Sequence, residues 1–173
     1  MVNNMPKKNK GLLISANILL FFFVIIFTVS GVVNISIKNA TPLVLIPLVC
    51  AFSIFNSVGN SATAGFVVGA CLDSMQVGTY CFNTIAFLLM ALLVYLIANN
   101  LFNKNIQSAV TLSLIMSLMY FGAKWLIFFF FGLSAKDSMT YLLSYAFPSA
   151  MYSAVFIFPL FYLYRYFDKL SNE

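Results

Sequence analysis

The chain has 173 residues, 62% hydrophobic and 8% charged, against about 45–50% and about 25% in a soluble domain. That apolar surplus excludes an ordinary water-soluble fold and points to an integral membrane protein. The net charge of +5 is small and mostly terminal, so it serves to orient the chain in a membrane and offers no nucleic-acid footprint.

Residues 1–10, MVNNMPKKNK, form a basic N-terminus carrying Lys7, Lys8 and Lys10. An apolar run from 11 to about 37 follows. It exceeds the about 7–15 residues of a signal-peptide core and lacks an A-x-A cleavage site, so it reads as an uncleaved first span. Span two, 42 to about 55, and span three, 62 to about 77, are short against the ~20 residues a crossing needs. Two readings are open for them: spans that are thin or shielded by neighbours, or a re-entrant pair over 42–77. Span four covers 80–102, span five runs from 106 to about 125 or 131, and span six covers 141–164. The expectation is an all-α membrane protein of about six helices in one bundle, with a transmembrane domain over 11–165 and a tail over 166–173.

Basic residues set orientation. With six spans and a cytoplasmic N-terminus, the inside receives Lys7, Lys8, Lys10, Lys104, Arg165 and Lys169, and the outside Lys38, Lys124 and Lys136. This distribution favours both termini in the cytoplasm.

Span three holds Ser61, Gly65, Gly69 and Asp73 at intervals of four, hence on one helix face. Two turns of that face are nearly bare, a spacing that lets a second backbone come close. The face ends in a carboxylate, which costs about 2.5–3.5 kcal/mol near a helix centre in lipid. Asp73 is the only acidic residue within a predicted span, and Lys124 the only basic residue deep in one. An intramembrane Asp73–Lys124 pair is one expectation; Lys124 reaching the interface beside Trp125 is the other. Gly78 and its polar neighbours mark a tight turn. Asn83, early in span four, is placed to hydrogen-bond Asp73 or the turn, or to cap its own helix. Pro148 and Pro159 bracket span six and predict kinks that shape a surface or groove. Tyr162, Tyr164, Arg165 and Tyr166 read as an interfacial belt.

Catalytic chemistry has little to stand on. Histidine is absent, which removes the commonest general base and metal ligand. Cys50, Cys71 and Cys81 show no CxxC spacing and read as packing residues. A single intramembrane carboxylate supplies no acid pair. No catalytic residue, metal or cofactor is expected.

The run Gly65, Gly69, Asp73, then a turn and the pair Phe82–Asn83, resembles the MreD family of rod shape-determining proteins. Pro148–Ser149, Tyr152 and Pro159–Leu160 before a tyrosine-rich basic end are similar to the same family, as are the length and six-span layout. Cys81 stands where the family often carries glycine, with Gly78 offered as the turn residue instead. The resemblance implies a non-enzymatic scaffold subunit of the cell-elongation machinery in the bacterial cytoplasmic membrane. Its implied partners are MreC, a bitopic protein, with the actin-like MreB and the lateral-wall peptidoglycan synthases nearby. The implied packing and partner-binding residues are Ser61, Gly65, Gly69, Asp73, Phe82, Asn83, Pro148, Tyr152 and Pro159. The family fold is also similar to the substrate-binding subunits of energy-coupling-factor transporters. That likeness supplies the alternative, a small-molecule-binding subunit with an outer polar cavity at Asp73, Asn83, Lys124 and 132–140. Against it, the spans carry few polar residues, and Ala16 is followed four residues later by Leu20, not the alanine used for docking a coupling partner.

Overall fold

Lipid offers no hydrogen-bond partners, so a chain this apolar satisfies its backbone within helices. The computed structural model describes residues 17, 19–26, 28, 42–75, 81–100, 105–130 and 139–172, which are helical apart from short turns. The first helix, α1, is described over residues 19–26. It is followed by α2 (Leu45–Phe55), α3 (Val58–Met75), α4 (Phe82–Asn100), α5 (Ile106–Lys124), α6 (Phe147–Val155) and α7 (Ile157–Asn172). Two π-helical stretches, Trp125–Phe130 and Leu142–Ala146, extend α5 and lead into α6.

Among the described residues, three segments are long and apolar enough to cross a membrane: Phe82–Asn100, Ile106–Ile127 and Met139–Lys169, with mean hydropathies of 2.0, 1.6 and 1.5. They coincide with predicted spans four to six. The last remains helical through residues 166–172, where the sequence reading puts a tail. Most of the predicted first span, and the turn expected at Gly78, lie outside the described residues.

α2 explains the short second span. Its 11 residues rise about 16 Å, half the ~30 Å hydrocarbon thickness. Every residue from Leu45 to Ile54 is buried, as expected of a helix that is apolar all round and enclosed by protein. α4, α5 and α7 pack around it. Phe52 sets its ring edge-on to Phe21 of α1 at 5.1 Å and to Tyr164 of α7 at 5.8 Å. The helix stops at Asn56, whose backbone is extended and whose backbone N–H and side-chain Nδ2 both donate to the Phe52 carbonyl, at 3.1 and 3.0 Å.

A small-residue seam joins α5 to α6. Ala109, Ser113 and Ser117 repeat every four residues along α5, and Ser149, Ala150, Ser153 and Ala154 line α6; all are buried. Ser153 Oγ donates to the Ser149 carbonyl at 2.7 Å and accepts from the Leu43 N–H at 2.8 Å, which ties the entry to α2 onto α6.

The prolines act where the sequence puts them. Pro148 is the second residue of α6, directly after the π-helix Leu142–Ala146, and widening of the preceding turn accommodates its ring. Pro159 is the third residue of α7, directly after the break at Phe156. Tyr164 departs from the expected belt. Helical rotation groups it with buried Ile157 and Phe161, whereas Tyr162, Arg165 and Tyr166 are exposed.

Candidate functional site

α3 and α4 form the most extensive helix pair in the bundle, and the bare face of α3 is the reason. A Cβ placed on Gly65 would lie 2.5 Å from the Phe87 carbonyl oxygen and 2.9 Å from Ala91 Cβ. A Cβ on Gly69 would lie 2.6 Å from the Asn83 carbonyl oxygen and closer still to Thr84 Cα. Backbone therefore rests on backbone at both glycines. Ser61, one turn earlier, is buried and donates its hydroxyl to the Ser57 carbonyl at 2.9 Å. The small-residue face is thus occupied by the protein's own α4.

Asp73 ends this face at the start of α4. The first backbone N–H groups of any helix lack intrahelical acceptors, and a carboxylate there is favoured by the helix dipole. Asp73 Oδ1 accepts from the Asn83 N–H at 3.2 Å and from Asn83 Nδ2 at 2.9 Å. Oδ2 accepts from the Thr84 N–H at 2.8 Å and from Thr84 Oγ1 at 2.6 Å. The acid of one helix therefore caps the next. Cys81, immediately before α4, has φ 62°, the left-handed region that favours glycine. The strained turn position is therefore at Cys81 itself, the place where the resemblance expects glycine.

Asn83 is fully buried and carries the network onward. Its Oδ1 accepts from the Tyr120 hydroxyl of α5 at 2.6 Å. Rings of Phe82 and Phe87 flank Tyr120 at centroid distances of 6.0 and 5.5 Å. Lys124 Nζ lies over the same tyrosine ring, 6.0 Å from its centroid, within reach of a cation–π contact. Asp73, Asn83, Tyr120 and Lys124 thus form one connected series across α3, α4 and α5. Tyr120 is the member that sequence reasoning missed. Its signal was weak: a tyrosine one turn before Lys124, on the face that buries Leu112 and Met116.

Pro148, Tyr152 and Pro159 are placed elsewhere, on α6 and α7, which pack on α5 and α2. Tyr152 is half-buried, its ring 5.8 Å from Phe156, and Pro159 is exposed. The alternative reading needs Asp73 and Asn83 to face a ligand cavity, yet both are engaged in capping. Residues 132–138 of that expected cavity lie outside the described residues. Among the described residues no group of three or more His, Cys, Asp or Glu is placed to hold a metal ion.

Long apolar helices around an enclosed short one, with polar side chains spent on holding helices together, define a helical membrane-bundle protein. A sequence model described as rod shape-determining protein MreD matches residues 10–169, and the chain belongs to the MreD family. Comparison with curated proteins and with solved structures finds no match.

Proposed function

We propose that this protein is a non-enzymatic scaffold of the rod-shape machinery in the bacterial cytoplasmic membrane. It binds an MreC-type bitopic protein through helix packing and helps position peptidoglycan synthesis, with MreB and the lateral-wall synthases close by. Both termini are cytoplasmic, in a six-span layout. The observation that carries this reading is the family match over residues 10–169.

The packing supports it. Asp73, Asn83, Thr84 and Tyr120 of the third, fourth and fifth spans join helix to helix, which suits a rigid platform. Because α4 occupies the glycine face of α3, the partner's span docks on the outer faces of the last three spans. On the last of these spans Phe147, Met151, Val155, Phe158 and Tyr162 are all exposed. The test is depletion of the protein in its host, with affinity purification in mild detergent. Loss of rod shape and recovery of an MreC-type protein are expected; normal rods and no such partner would reject the proposal.

A further inference from the structure

A groove of about 610 Å³ opens between α1, α2 and α3, within the about 300–1,000 Å³ of small-ligand sites. Its lining changes character along one face of α3. Asn60 and Thr63 lie at the end near the α2–α3 turn, with Asn56 of α2 beside them. Val67 and Cys71 follow one and two turns on, and Asn17, Phe21 and Phe22 of α1 line the other wall. This face differs from the one carrying Gly65 and Gly69. No lining residue is charged.

The polar end has hydrogen-bonding capacity to spare. Thr63 Oγ1 donates to the Asn60 carbonyl at 2.9 Å, and Asn56 Nδ2 donates to Phe52 at 3.0 Å. The Asn60 side-chain amide makes no hydrogen bond among the described residues. An uncharged donor-rich end over an aromatic and aliphatic trough matches one chemistry. Ester carbonyls of a glycerolipid would accept from the amides, and one acyl chain would follow the trough. Phosphate recognition would favour Arg or Lys, and none of the lining side chains is basic.

We infer that this groove is a site for a single membrane glycerolipid, held by its ester region at Asn56 and Asn60 with one acyl chain along Phe21, Phe22, Val67 and Cys71. The full-length protein is reconstituted in nanodiscs containing phosphatidylglycerol with a diazirine in one acyl chain, illuminated, and mapped by mass spectrometry. Insertion at Phe21, Phe22 and Val67 is expected to exceed that at the exposed Leu89 and Leu93 of α4 by about tenfold, or about 1.4 kcal/mol of preference. Ala64 also lines the groove; Ala64→Trp fills it and removes the excess, and Asn60→Leu reduces it. Equal labelling of groove and α4 means ordinary surrounding lipid and overturns the inference, as does excess labelling that persists in a folded Ala64→Trp protein. Should Ala64→Trp not fold, Val67→Phe is read in its place. None of these readouts depends on cell shape or on a protein partner.

Discussion

Asp73 shows how a carboxylate is made tolerable in a membrane helix. Its insertion costs about 2.5–3.5 kcal/mol, and four donors, two of them backbone N–H groups of α4, converge on its oxygens. Hydrogen bonds to charged groups contribute about 1.5–3 kcal/mol each where they are well made, so the cap offsets the cost. Asn83 serves the same network through both ends of its amide, and Tyr120 closes it from α5. Cys81 is the residue that strains it. A left-handed conformation costs a side-chain-bearing residue about 1–2 kcal/mol, of which glycine returns about 0.5–1 through greater freedom of the unfolded chain. Cys81→Gly should therefore raise stability by about 0.5–1 kcal/mol, read as a higher unfolding midpoint in detergent. A lowered midpoint would show that the cysteine side chain contributes more than its backbone costs. The Asp73–Asn83 contact was legible in the sequence because both residues flank one turn. The Tyr120 contact was not, since it spans 37 positions and no periodicity marks which buried aromatic carries a hydroxyl bond.

At the scale of helices, glycine spacing decides which backbones meet. The contact of α3 with α4 leaves no room for a side chain at Gly69, whereas a Cβ on Gly59 meets nothing within 4 Å. Gly69→Leu should destabilise by about 3 kcal/mol or more, the upper end of overpacking effects, and Gly59→Leu by less than about 0.5. Equal unfolding midpoints for the two variants would remove the close approach. The sequence made this seam visible through its four-residue repeat. It concealed the α5–α6 seam, because Ala109, Ser113 and Ser117 are spread among leucines and methionines that look equally lipid-facing. It also left α2 ambiguous. Hydropathy registers how apolar a helix is, and burial by protein and burial by lipid demand the same residues.

For the whole molecule, three apolar segments surround an enclosed short helix, and the networks at Asp73 and Ser153 fix how they sit. With both termini cytoplasmic, as proposed, the start of α4 lies on the outer side, an orientation that the cysteines can report. Cys81 is exposed, Cys71 half-buried and Cys50 buried. A membrane-impermeant maleimide should modify intact protoplasts at Cys81, with Cys81→Ser abolishing the signal; modification only after permeabilisation would reverse the orientation. Membrane class and family were readable from composition and two motif regions, whereas the choice of inner and outer faces needed the packing.

The interhelical cap is tested most directly by a double-mutant cycle of Asp73→Ala and Thr84→Val, followed by reversible unfolding in detergent. Thr84→Val keeps the side-chain shape and deletes only the 2.6 Å hydroxyl bond to Asp73. If Asp73 holds α4 in place, the two changes are coupled by about 1.5 kcal/mol or more. Additivity within about 0.3–0.5 kcal/mol would mean that the carboxylate does not hold the two helices together.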